Sequence, residues 1–212
     1  MDIVGRLLQL SEFGARWVVW VLVAFSLLAI AVVIERAVVF LSSRDDAGKL
    51  RLELRRLLNL GDLPQALKRL EESPSFEARV AAAGLQAEGA ASAEERMQGE
   101  SELCRLTMER NLALLGTLGN NAPFIGLLGT VIGIVRAFRE LSHAAGQVSV
   151  GLMSEIGEAL ISTAIGLLVA LPAVAAFNLF QRLIRARVGH ATALAHEILA
   201  FMKAPKASAA PE

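Results

Sequence analysis

The stretch WVVWVLVAFSLLAIAVVI, Trp17 to Ile34, is 18 residues long and has Ser26 as its one polar interruption. It stops at Glu35-Arg36 and resumes with AVVF. A helix rising about 1.5 Å per residue over that length crosses roughly 30 Å of hydrocarbon. Trp17 and Trp20 stand at its start, where indole rings favour the headgroup layer. A helix apolar on every side has no face to turn to water, so the chain is committed to a bilayer. Ala29–Ala31 imitates a signal-peptide cleavage site. It lies inside the apolar run, however, and that run exceeds the roughly 7–15 residues of a signal core. The segment is therefore expected to be a retained span.

Two further candidates follow. NLALLGTLGNNAPFIGLLGTVIGIVRAF covers Asn111–Phe138, and VSVGLMSEIGEALISTAIGLLVALPAVAAFNLF covers Val148–Phe180. Only RELSHAAGQ separates them, which predicts a hairpin. Both carry polar groups, and a charge at mid-depth costs roughly 3 kcal/mol on insertion scales. Those groups are expected to face protein or water. The mean hydropathy of +0.51 agrees with three spans. Lys+Arg and Asp+Glu balance at 21 each, so no basic excess calls for nucleic acid. Cys104 is the sole cysteine, which excludes a disulfide framework and a cysteine-based zinc site within one chain. His143, His190 and His196 are scattered and suggest no metal site.

Basic residues set the expected orientation. Arg6 and Arg16 precede the first span, twelve Lys and Arg lie from Arg36 to Arg110, and Arg136 and Arg139 flank the hairpin turn. Arg182, Arg185, Arg187, Lys203 and Lys206 follow the third span. The positive-inside rule then places Arg36–Arg110 and the C-terminus in the cytoplasm, with the N-terminus and the hairpin turn outside. The cytoplasmic segment reads as helical. Asp62 is a predicted N-cap for a helix with Leu63, Ala66, Leu67 and Leu70 on one face. ESPS (Glu72–Ser75) breaks the chain, and Ser92 with Glu95 is a predicted capping box. From there a helix is expected to run straight into span two.

The chemistry concentrates on two helix faces. Gly119, Pro123, Gly126, Thr130, Gly133 and Ala137 fall within an arc of about 80° on span two. Gly151, Ser154, Glu155, Glu158 and Ser162 share about 100° of span three, continued by Ala159, Thr163, Gly166 and Ala170. Small residues let helices approach in a membrane and need no ion for that. Alternatively the stripe lines a narrow path with Thr130 as its polar side chain at depth. Glu155 suits the first turn of a helix near the outer interface. Glu158 lies a turn deeper, and an intramembrane carboxylate is a candidate carrier of a proton or cation. Hydroxyls such as Ser162 could pass a proton or hold water. Pro172 removes a helix hydrogen bond and is expected to kink span three, with Asn178 near its far end. The glycines of span two have no G-K-[ST], so a nucleotide loop is excluded.

APFIGLLGTVIGI (Ala122–Ile134) and IGEALISTAIGLLVALPAVAAFN (Ile156–Asn178) resemble the two signature helices of the ExbB/TolQ branch of the MotA/TolQ/ExbB proton-channel family. The Glu35-Arg36 pair and the order of spans are also similar. The resemblance implies an all-α integral membrane protein of the bacterial inner membrane with three transmembrane helices, long helices extending into the cytoplasm, and no enzymatic chemistry or cofactor. The expected layout has a periplasmic amphipathic N-terminus (1–16), transmembrane helix 1 (17–40), a cytoplasmic helical segment (41–110) and transmembrane helix 2 (111–138). A periplasmic loop (139–147), transmembrane helix 3 (148–181), a cytoplasmic C-terminal helix (182–202) and a disordered tail (203–212) complete it. Thr130, Thr163 and Glu158 match the family's path-lining positions, with Ser162, Glu155 and Asn178 secondary. Gly119, Pro123, Gly126, Gly133, Gly166 and Pro172 form the packing or pore stripe. The family's pattern differs at Ser154-Glu155, where relatives often carry proline and glycine. The implied partners are a homopentamer of this chain and two copies of a single-span ExbD/TolR-like subunit with a membrane aspartate. A TonB/TolA-like or motility effector and the lipid bilayer complete the set. The aspartates here are Asp2, Asp45, Asp46 and Asp62, none in spans two or three, so a buried aspartate must come from elsewhere. A small secondary transporter and a passive oligomeric scaffold are the rival readings. Three spans show no inverted repeat, which weighs against the transporter.

Single-cysteine labelling of intact cells tests the orientation. A cysteine placed at Glu72, in the ESPS break of a variant lacking Cys104, should react only after permeabilisation; labelling from outside would reverse the topology.

Overall fold

The computed structural model describes residues 16–143 and 150–203. Within them seven helices follow in order: α1 (Arg16–Ser42), α2 (Ala47–Asn59), α3 (Leu63–Glu71), α4 (Phe76–Leu85), α5 (Ala90–Glu109), α6 (Leu112–His143) and α7 (Val150–Lys203). No strand occurs among the described residues. Helices α1, α6 and α7 each carry a stretch long and apolar enough to cross a membrane. The protein is therefore an all-helical membrane protein with three spans.

The expected outer N-terminus falls almost wholly outside the described residues, as do residues 144–147 of the hairpin loop and 204–212 of the tail. Residues 139–143, expected in that loop, are instead the last turn of α6. Span three and the C-terminal helix are one helix of 54 residues. No proline lies between Pro172 and Lys203 to stop it, and the helix continues unbroken through Pro172 itself.

The chain divides into two compact units, Met1–Glu35 with Asn111–Leu179, and Arg36–Arg110 with Phe180–Glu212. In the second unit each short helix begins at a side-chain cap. Asp46 accepts from the backbone N–H groups of Gly48 and Lys49, Asp62 from that of Gln65, and Ser75 from that of Ala78. Each cap satisfies N–H groups that a first helical turn leaves without partners. Buried leucines at 50, 54 and 58 form the inner face of α2. On α3 the buried residues are Ala66 and Leu70, whereas Leu63, expected on that face, is exposed. The Ser92–Glu95 capping box does not start α5. That helix starts at Ala90 after Gly89, whose φ of 88° is open to glycine at little cost, so Ser92 already lies inside the helix.

Nor does α5 run on into span two. Asn111, at φ 61°, breaks the path between them. Asparagine tolerates this left-handed conformation better than most residues. Its side-chain amide donates to Glu35 at 2.8 Å, which ties the start of α6 to α1.

Arg187 caps the end of α1. Its guanidinium donates to the carbonyls of Phe40 (2.8 Å) and Ser43 (2.7 Å) and to the Ser43 hydroxyl (3.1 Å). The last carbonyls of a helix have no partner within it, and a cation there also suits the helix dipole. The same group lies over the rings of Phe40 and Phe76, 5.3 and 5.7 Å from their centroids. Almost fully buried, Arg36 donates to the Thr107 carbonyl at 3.0 Å.

Cys104, 2% exposed, sits on the inner face of α5. Burial pushes its thiol up to about 11. At neutral pH almost no thiolate is present. Maleimide should therefore modify Cys104 about a hundredfold more slowly than an exposed thiol, with full reaction after denaturation. Rapid labelling of the folded protein would show that α5 does not pack as described.

Candidate functional site

Helices α6 and α7 meet antiparallel along a seam of small residues. Gly116 faces Phe177, Gly119 faces Val174, Gly126 faces Ser162–Gly166, and Gly133 faces Ala159. The closest approach to backbone is at Gly126 and Gly166. A Cβ at Gly126 would stand 2.8 Å from the Ser162 carbonyl oxygen, and one at Gly166 would stand 2.8 Å from that of Ala122. Both contacts are with backbone, which has little freedom to yield. Against this hairpin packs α1, in a core of Val18, Leu22, Ala122, Ile132, Val169 and Ala170.

The two threonines singled out in the sequence meet inside this seam. The Thr130 and Thr163 hydroxyls are hydrogen-bonded to each other. Thr130 Oγ1 also lies 3.1 Å from the Ala159 carbonyl, and Thr163 Oγ1 lies 3.2 Å from that of Gly126. Each hydroxyl has one proton to donate. Two arrangements therefore satisfy the cluster. In one, Thr130 donates to Ala159, or at 3.4 Å to Gly126, and Thr163 donates to Thr130. In the other, Thr163 donates to Gly126 and Thr130 donates to Thr163. The cluster can switch between them by rotating two hydroxyls, as a proton-relaying chain must.

The remaining candidates divide. Ser162 is fully buried, its hydroxyl donating to the Glu158 carbonyl at 3.3 Å and its Cβ side facing Gly129. It belongs to the packed interior of the seam. The Glu158 carboxylate accepts from Arg16 Nε at 3.2 Å, and Glu155 pairs with Arg136 at 3.2 Å. Asn178 and Pro172 are exposed, and Pro172 borders a shallow apolar groove with Ser26, Leu168 and Val169. Gly119, Gly126, Gly133 and Gly166 all lie in the seam, and Pro123 is half-buried beside them. Among the described residues no three His, Cys, Asp or Glu side chains converge as metal ligands would.

Sequence reasoning passed over both arginine partners. Arg16 counted only toward orientation, yet as the last charge before an apolar run it marks the layer where a carboxylate on a neighbouring span could find it. Arg136 carried a comparable signal, lying near the hairpin turn on the span that must pair with α7.

Fold and seam together describe a three-span helical membrane protein with a hydroxyl pair between its second and third spans. Residues 72–192 match the MotA/TolQ/ExbB proton channel family, and the chain belongs to it, in the ExbB/TolQ branch. It is 46% identical over 77 residues to an ExbB-like biopolymer transport protein of Helicobacter pylori, covering 36% of this chain and 51% of that one. Over 95 residues it is 43% identical to biopolymer transport protein ExbB of Xanthomonas campestris, covering 44% and 37%. It is 39% identical, again over 95 residues, to the Tol-Pal system protein TolQ of Pseudomonas aeruginosa, covering 45% and 41%. The chain thus spans about half or less of the length of these curated relatives.

The close contacts define what the seam requires. Gly126→Ala and Gly166→Ala should each destabilise the purified protein in mild detergent by about 1–3 kcal/mol, read as a lower thermal midpoint. Gly99→Ala, with open space around it, should not. Unchanged midpoints for both seam variants would mean the helices are not in backbone contact.

Proposed function

We propose that this chain is the channel and stator subunit of an inner-membrane motor that couples an ion-motive force, with protons the favoured ion, to work in the cell envelope. The reading rests above all on the Thr130–Thr163 hydroxyl pair, which sits at depth between two apolar spans and can be satisfied in two orientations. Membership in a proton channel family supports it, as do relatives named for biopolymer transport and for the Tol-Pal system. Five copies would surround two helices of a single-span subunit of the ExbD/TolR type, whose membrane aspartate carries the proton past Thr130 and Thr163. Glu158 stands at the outer entrance. The protein would lie in the bacterial inner membrane with its N-terminus in the periplasm and its C-terminus in the cytoplasm, and it would bind and move an ion without covalent chemistry. The work done would be uptake through a TonB-like effector, envelope maintenance through a TolA-like one, or motility.

A passive scaffold has one specific observation in its favour, the glycine seam, because close packing alone accounts for it. The hydroxyls separate the two readings. Valine keeps the volume of threonine. The Gly126 and Ala159 carbonyls already lie within helices, so losing the hydroxyls leaves few groups unsatisfied and costs about 1 kcal/mol per bond. Thr130→Val with Thr163→Val should therefore lower the driven process at least tenfold in a null strain, while pull-down of the single-span subunit persists. Glu158→Ala should do the same, Glu158→Asp should retain part of the activity, and Glu155→Ala should be milder. Full activity of the double threonine variant would leave packing as the role of the seam.

A further inference from the structure

At the outer end of the hairpin two carboxylates of α7 are held by arginines from two other helices. Arg16, the first residue of α1, binds Glu158, and Arg136 of α6 binds Glu155. The two pairs differ in character. Glu155 and Arg136 are 21% and 39% exposed, a half-buried clasp between adjacent antiparallel helices. Glu158 is 39% exposed, and its partner Arg16 is 83% exposed at the very start of α1. A long side chain so open to solvent can leave its carboxylate and return to water at little cost. Arg16 is also outside residues 72–192, the part of the chain matched to the family. Among the described residues the indole N–H of the neighbouring Trp17 is buried and has no acceptor.

We propose that Arg16 is a positioning residue for the outer carboxylate: it holds Glu158 against α1, and a proton entering from outside competes with the guanidinium for that carboxylate. The step balances simply. The proton bonds to Glu158 Oε1, the carboxylate becomes a neutral acid, and the guanidinium keeps its charge and moves into water. The pairing re-forms when the proton passes inward. The charges that interact with Glu155, one turn away on the same helix, are Arg136 and Glu140 on α6 together with Glu158 and Arg16, and Arg136 is engaged by Glu155. Arg16 donates directly to the Glu158 carboxylate, at 3.2 Å. The pair would act as a plug that lowers unproductive entry.

This inference rests on the reading of Glu158 as part of the ion path, and the test separates the two. The complex with its single-span subunit is reconstituted in liposomes, and proton entry under a potassium diffusion potential is followed with a pH-sensitive dye. Arg16→Gln should raise the flux about threefold or more, because the competitor for the carboxylate is gone. Arg16→Lys, which keeps the charge, should stay near the wild-type rate. Glu158→Gln should lower the flux at least tenfold, and the Arg16→Gln, Glu158→Gln double variant should match Glu158→Gln alone, because Arg16 acts only through that carboxylate. Native mass spectrometry of each sample confirms assembly, and Arg16→Ala serves as a second neutral variant should Arg16→Gln assemble poorly. Wild-type flux in the neutral Arg16 variants, beside a null Glu158→Gln, overturns the role of Arg16 and leaves the path intact. A double variant that still conducts faster than Glu158→Gln also overturns it. Wild-type flux in Glu158→Gln removes Glu158 from the path and the inference with it.

Discussion

Backbone contact between α6 and α7 governs the membrane unit. At Gly126 and Gly166 the two helices stand so close that a single methyl group would meet a carbonyl oxygen. Lipid tails are as apolar as leucine side chains, so burying leucine gives two spans no reason to associate, and close approach through small residues takes over that role. The same closeness brings the Thr130 and Thr163 hydroxyls within bonding distance and lets each reach a carbonyl on the opposite helix. A wider seam filled by larger side chains would leave each hydroxyl to its own helix. Packing and hydroxyl chemistry are therefore not rival uses of this face, since the first creates the geometry of the second.

Charge is handled by pairing across helices. Glu155 and Glu158 would be costly in the first turns of a span if left bare, and each is met by an arginine from a different helix. In the second unit Arg187 ends α1 by occupying its last carbonyls, and in the first Asn111 ends the approach to α6 by taking a left-handed conformation anchored on Glu35. The arginines read in the sequence as orientation charges, and Asn111 as the first residue of span two. Each in fact closes a helix terminus or holds a carboxylate.

The three spans and the helical hairpin were legible because hydrocarbon admits few backbone solutions, and long apolar runs leave the helix as the one available here. Asp62 was legible as a cap because its effect reaches only three residues along the chain. The start of α5 was misread for the converse reason: a serine and glutamate at capping spacing cannot reveal that Gly89 has already turned the chain. Thr130, Thr163 and the glycine stripe were singled out from local spacing together with the family resemblance, yet spacing along one helix does not say which neighbour the stripe meets. The sequence by itself determined which segments enter the membrane and which faces carry small and polar groups, since both follow from residue type and helical period. Only the tertiary structure decided that the stripe faces α7 of the same chain, that Ser162 is sealed within the seam, and that Arg16 and Arg136 reach the two glutamates. Such contacts join residues up to 142 positions apart, and a distance of a few ångströms between them is fixed by how the helices pack.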